Sequence, residues 1–191
     1  MTEILIDATL AKMIYSVRGT KSLTNPCFYG VIITPEKRLV GSDGKRLVAV
    51  DRATSGALGW SIPDGHPEPA PGVYHYVAAP VKIGTVSKLL LAPVDLQAPD
   101  VDQLYTRATS GAPVFSIYAG APRGPRTWLF TALYCLFRDE QMAINPDLIP
   151  DGWPSDEYRV FASISSSVAF RAACFSIIVC PYKWEEPKKT V

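Results

Sequence analysis

Between Phe28 and Val50, three runs rich in valine, isoleucine and leucine are cut by two turn signals, Pro35-Glu36-Lys37 and Ser42-Asp43-Gly44. Runs this short, bounded by proline and Asp-Gly, suit antiparallel strands joined by tight turns. The expected strands are 28–34, 38–40 and 46–50. Three more runs, Tyr158–Ile164, Val168–Ala172 and Phe175–Cys180, give a second set of strands near the other end of the chain.

Each set is preceded by a strand and a helix. Glu3–Ile6 reads as a strand, and Asp7 offers a side-chain oxygen to the first free amides of a helix. In that helix Leu10, Met13, Ile14 and Val17 recur at three- and four-residue spacing, which makes one apolar stripe, and Gly19 suits a left-handed stop. Lys12, Tyr15 and Arg18 fall off the stripe. In the second half, Val114–Tyr118 reads as a strand, 119–125 as a loop, and Thr127–Asp139 as a helix apolar on most sides. Thr131, Tyr134 and Arg138 form its thin polar edge, so it is expected to be buried against a sheet.

The order strand, helix, strands therefore occurs twice, with an inserted stretch at about 53–112. One α+β domain spanning 1–191, with helices on one face of antiparallel sheets, is the expected architecture. Inside the insertion, 51–72 is rich in glycine and proline and reads as an exposed connection, and Val73–Ala78 as a strand. The pattern of Thr85–Leu91 fits helix or strand equally. The hexapeptide Arg-Ala-Thr-Ser-Gly-Ala occurs at 52–57 and again at 107–112. It marks either an internal duplication or reuse of a favourable turn.

Composition narrows the function. The 191 residues carry 48% hydrophobic and 19% charged side chains, the balance of a folding chain. Nineteen basic against eighteen acidic residues leave a net charge of +1, so no global field draws the protein to nucleic acid. Any DNA contact has to come from a local patch. Cys27, Cys135, Cys174 and Cys180 are scattered, and with only His66 and His75 beside them they form no metal-binding spacing. No metal or cofactor is expected, and the thiols read as buried and reduced. The N-terminus lacks the basic start and unbroken apolar run of a secretion signal, and no stretch reaches the about 20 apolar residues that cross a bilayer. A soluble, cytoplasmic protein is the expectation.

The segment Cys27–Val50 resembles the bacterial β sliding clamp family, in which a strand leads into an Asp-Gly-His-Arg-Leu turn; here it reads Ser42-Asp43-Gly44-Lys45-Arg46-Leu47. The C-terminal run resembles the clamp's closing hairpin, which ends in Val-Met-Pro-Met-Arg; here it reads Val179-Cys180-Pro181-Tyr182-Lys183. The apolar helix from Trp128 stands where clamps carry a Tyr-Leu-Leu-Asp-Ala-Leu-like helix. The likeness covers roughly 1–52 and 113–184 and leaves the middle unaccounted for. It implies a DNA-clamp-like fold and a replication accessory such as a processivity factor, of compact and divergent form, as in a virus or mobile element. Clamps close rings of six domains, so one domain implies about six copies in head-to-tail contact.

The resemblance also implies sites. In clamps the turn and the terminal segment line a pocket that captures peptides of replication proteins, which maps onto Gly44, Arg46, Leu47, Val179, Pro181 and Tyr182. Lys45 replaces the family histidine, and Cys180 and Tyr182 replace its methionines, which unsettles any shared peptide specificity. In the bacterial clamp these two segments come from neighbouring domains, whereas here they belong to one, so they are expected to meet across a subunit contact or not at all. The competing reading is a plain hairpin turn with Arg46 solvated and Leu47 in the core. Clamp helices touch DNA phosphates with lysine and arginine, which maps onto Lys12, Arg18, Lys21 and Arg138; ordinary solvated charge is the alternative.

Enzyme chemistry finds little support. Neither histidine sits in a motif beside a cysteine, the acid pairs Asp100/Asp102 and Asp139/Glu140 suit loop and helix-end charge, and no glycine-rich phosphate loop follows a strand. The expectation is no enzyme and no catalytic residue. The alternatives kept open are a non-ring clamp-fold module that captures or mimics a replication partner, and an enzyme on an unrelated α+β fold.

Overall fold

The computed structural model describes residues 1–19, 25–53, 58–111, 113, 115–118, 142–143, 157–163, 167–180 and 182–183. Its frame is a 12-stranded antiparallel sheet. In chain order the strands are β1 (Thr2–Asp7), β2 (Val31–Ile33), β3 (Arg38–Ser42), β4 (Arg46–Asp51), β5 (Trp60–Ser61), β6 (Gly72–Tyr76), β7 (Val81–Ile83), β8 (Val86–Val94) and β9 (Phe115–Tyr118). A small pair, β10 (Met142–Ala143) and β14 (Tyr182–Lys183), lies apart, while β11 (Glu157–Ser163), β12 (Ser167–Arg171) and β13 (Phe175–Val179) complete the sheet. The spatial order is β5-β1-β8-β6-β2-β3-β4-β13-β12-β11-β9, with β7 paired to β8.

Two meanders meet at the centre. In the first, Ile33 pairs with Leu39 and Ser42 with Leu47. In the second, Ala162 pairs with Val168 and Arg171 with Ser176. A single constant shift along the chain carries each residue of the first set onto its counterpart in the second. The seam between β4 and β13 follows the same rule: Val48 pairs with Ile177, the residue the shift assigns to it. The two meanders are thus related by a pseudo-twofold axis that passes between Val48 and Ile177.

The face pattern obeys the same relation, because alternate residues of a strand point to opposite sides. Val31, Leu39, Val48 and Val50, with their counterparts Val160, Val168, Ile177 and Val179, all enter one core. Ile32, Val40 and Ala49, with Phe161, Ala169 and Ile178, enter the other. The repeated hexapeptide does not mark this duplication. Arg52 makes an extended bridge to Trp60, whereas Arg107–Thr109 end a helix.

Helix α1 (Ala8–Ser16) covers the first core, with Leu10, Met13, Ile14 and Val17 at most 1% exposed. Asp7 caps it, its Oδ1 accepting from Thr9 N at 2.8 Å and Leu10 N at 3.2 Å. The helix stops at Ser16 without a left-handed glycine; the Gly19 N–H instead donates to the Phe28 carbonyl at 2.6 Å. Gly41 of β3 lies beneath it, and a Cβ there would stand 2.7 Å from the Ile14 carbonyl oxygen and 2.8 Å from Ile14 Cγ1. Glycine lets the helix sit down on the sheet.

The strand expected from 28 starts at Val31, because Pro26–Tyr29 forms a 3-10 turn whose first amides Asn25 caps. The inserted middle is built into the sheet. Apart from Thr85 in the hairpin turn, Thr85–Leu91 is strand: β8 pairs with β1 along one edge, and along the other with β6 and β7. Thus β8 and β6 stand between β1 and β2, whereas in the second half β9 pairs with β11 directly. The connection 51–72 is not wholly exposed, since Trp60 is fully buried and its indole N–H donates to the Lys37 carbonyl at 3.1 Å.

A helix that the sequence reading passed over, α2 (Val101–Thr109), covers the second core from the opposite face. Asp100 caps it, and Val101, Tyr105 and Ala108 turn inward. Tyr105 also reaches the second meander, its hydroxyl 3.3 Å from Ser176 Oγ. Beside it the Arg38 guanidinium stacks over the Tyr105 ring, bonds Asp102 at 2.5 Å and approaches Asp51 at 3.4 Å. The expected helix at 127–139 lies outside the described residues.

Candidate nucleic-acid and peptide interface

The Ser42–Leu47 turn owes its shape to two side chains. Asp43 Oδ1 accepts from Lys45 N and Arg46 N, both at 3.0 Å. The Ser42 hydroxyl donates to the Arg46 carbonyl at 2.9 Å and accepts from Gly44 N at 3.1 Å. Gly44, exposed at the tip with φ +84°, occupies the left-handed region that glycine enters without strain.

The terminal segment lies directly beside this turn. Leu47 pairs with Ile178 and Arg46 with Val179, and the ladder runs on as Cys180 N donates to the Lys45 carbonyl at 3.1 Å. Two segments more than a hundred residues apart therefore meet within one chain by strand pairing. Their side chains divide between the faces. Leu47, 4% exposed, enters the α2-side core and Val179, fully buried, enters the α1-side core, so the two do not share a wall. Arg46 is tied down, its Nε bonding Asp43 Oδ2 at 3.0 Å and its Nη2 reaching the Ser16 carbonyl at 3.5 Å. Tyr182 belongs to β14 and pairs with Ala143, and Pro181 lies outside the described residues.

Of the basic candidates, Lys12 is exposed on the outer side of α1. Arg18, just past its end, donates to the Tyr15 carbonyl at 2.9 Å and stacks 3.6 Å from the centre of the Tyr15 ring. Tyr76 meets the same ring at 5.0 Å with the planes 85° apart. Lys21 and Arg138 lie outside the described residues.

A groove of about 520 Å³ separates α1 from the β7–β8 hairpin, and Lys82 of β7, which periodicity alone does not single out, stands on it together with Lys12. A second groove, about 560 Å³, runs between the β2–β3 turn and the start of α2; its acids are engaged, Asp100 as helix cap and Asp102 with Arg38. Neither groove is lined by histidine or cysteine.

Cys27 and Cys174 are buried as expected, whereas Cys180, just past the end of β13, is exposed. Burial pushes the Cys174 thiol up, and Asp51 and Asp7 add to it; partial desolvation and then Asp43 do the same for Cys180, away from the thiolate that a nucleophile requires. Among the described residues no three of His, Cys, Asp and Glu gather closely enough to hold a metal ion. No described helix is long and apolar enough to cross a membrane.

No family model and no curated protein matches this chain. Solved structures do. The DNA polymerase III beta subunit of Thermotoga maritima matches over 97% of this chain and 66% of its own, at 16% identity and TM-score 0.50. A protein assigned as a DNA polymerase III beta subunit in Eubacterium rectale matches over 95% and 65%, at 10% identity and TM-score 0.54. The DNA polymerase III beta subunit of Borrelia burgdorferi, solved in complex with a natural product, matches over 97% and 65%, at 10% identity and TM-score 0.50. The chain spans about two thirds of the length of these proteins. Its sheet of two related meanders, with α1 seated on one face, is the α+β fold of the bacterial DNA sliding clamps.

Proposed function

We propose that this protein is a sliding-clamp-like accessory of DNA replication, a binding protein with no catalytic residue. The fold carries this reading, because two meanders related by a pseudo-twofold through Val48 and Ile177 stand on the scaffold of the clamps. On that scaffold Lys12 and Arg18 hold DNA by its phosphates, a contact that carries no sequence information and so permits sliding. Lys21 and Arg138 are proposed to join them.

A few charges per subunit bind weakly, and their effect multiplies when copies assemble. We propose a head-to-tail assembly, to which the two ends of the sheet, β5–β1 and β9, contribute their edges. The peptide of a replication partner is proposed to dock around the Gly44–Leu47 turn and the Val179–Tyr182 segment. Gly44 and Arg46 would frame it, Pro181 and Tyr182 would supply contact surface, and Leu47 and Val179 would support it from within the two cores.

Size-exclusion chromatography with light scattering tests the assembly, run with and without a nicked DNA circle. Particles of several copies are expected. A strict monomer under both conditions overturns the encircling role.

A further inference from the structure

We propose that the groove between α1 and the β7–β8 hairpin holds one strand of nucleic acid by its phosphates, with Lys12 on one wall and Lys82 on the other. This deepens the DNA-contact reading above and rests on it, but it assigns the contact to a hairpin that the inserted middle of the chain supplies.

The groove's chemistry suits one polyanionic strand. Lys12 and Lys82 are both exposed, neither has an ion-pair partner among the described residues, and no acidic side chain lines the groove. The neighbouring Lys88 differs, because Glu3 holds it at 2.8 Å. Thr9, half-buried on the groove wall, adds a hydroxyl that can donate to a phosphate oxygen. Tyr15 and Pro80 add aromatic and apolar surface for a sugar or base. A cationic track beside an aromatic side chain is how proteins hold single strands without reading sequence.

The walls are set before a ligand arrives. Arg18 and Tyr76 fix the Tyr15 ring, and the Ala8 N–H donates to the Thr85 carbonyl at 3.0 Å, which ties the start of α1 to the hairpin turn. Little ordering is left for binding to impose. Val81, Ile83 and Val86 are 56%, 53% and 36% exposed, so the hairpin projects from the sheet, and Lys82 reaches the groove from outside the core.

Fluorescence anisotropy with a labelled oligothymidylate tests this on the full chain, across a salt series. Lys82→Ala and Lys12→Ala should each weaken binding about threefold to tenfold and lower the salt slope by about 0.7. Lys82→Glu should weaken it further. Lys82 is exposed, so all Lys82 variants should unfold at the wild-type denaturant concentration. Unchanged affinity and slope in Lys82→Ala and Lys82→Glu would overturn the proposal, as would displacement of the oligothymidylate by polyglutamate at equal charge. Retention on a DNA circle is read in parallel. Retention with oligothymidylate binding indifferent to Lys82 defeats the groove alone, whereas Lys82-dependent binding without retention defeats only the clamp reading.

Discussion

Val48 of β4 and Ile177 of β13 stand opposite each other at the seam of the two meanders, and each is the other's counterpart under the pseudo-twofold. Both are fully buried in the core beneath α1. The seam is therefore continuous core, and the two meanders are expected to unfold together. Ile177→Ala should cost about 2–5 kcal/mol and leave a single transition in urea. Two separate transitions would show that the halves are independent.

Gly41 and its counterpart Phe170 differ where the first meander seats a helix. Phe170 fills the core, whereas Gly41 leaves room for Ile14 of α1. Gly41→Ala should lower stability by about 1–3 kcal/mol, because the nearest atoms include backbone, which cannot swing away. Denaturant unfolding reads this directly; a neutral result would mean that α1 does not press on β3.

Asp51 gives a pH signature. Burial raises its carboxyl above the ordinary value of 3.8, and Arg38 and Arg171 offset this only in part, since Arg38 is engaged chiefly by Asp102. A raised folded value means that the folded state holds the proton more tightly. This contribution is present below 3.8 and lost as pH rises through the folded value. Asp51→Asn lacks the loss, so its stability relative to wild type should improve as pH rises from below 3.8. Urea midpoints across a pH series that starts below 3.8 check the sign.

Leu47 separates a core role from a docking role. At 4% exposure it should behave as a truncated core residue, with Leu47→Ala costing about 2–5 kcal/mol. Peptide capture by the folded fraction of that variant should persist, whereas Tyr182→Ala should lose capture. Pull-down of a replication partner alongside thermal unfolding distinguishes the two.

Much of the first half was legible from local chemistry. The Asp7 cap, the Leu10-Met13-Ile14-Val17 stripe and the Asp43-Gly44 turn each act within a few residues, and each forms as expected. What depends on distant partners was not legible. Trp60 is buried in a glycine- and proline-rich connection because the Lys37 carbonyl and the α1 core receive it. Helix α2 turns only Val101, Tyr105 and Ala108 inward, and Leu104 on its exposed side breaks the apolar stripe, although Asp100 before Val101 was a usable cap signal. In β8, Ser87, Leu89 and Leu91 alternate as a strand, but Leu90 between them blurs the period until β1 and β6 pair on either side.

The site divides the same way. Lys12 could be read from its place off the α1 stripe, but nothing near Lys82 indicates that the hairpin returns beside α1. The meeting of the Gly44 turn with Val179 rests on the β4–β13 pairing, a long-range register invisible to local pattern.

Retention on closed DNA tests the central claim most directly. The protein is mixed with a nicked circular duplex, passed through a sizing column at elevated salt, and the DNA is then cut once. The account predicts protein that travels with the circle and is released when the circle is linearised. Equal retention on circular and linear DNA, or none on either, would contradict it.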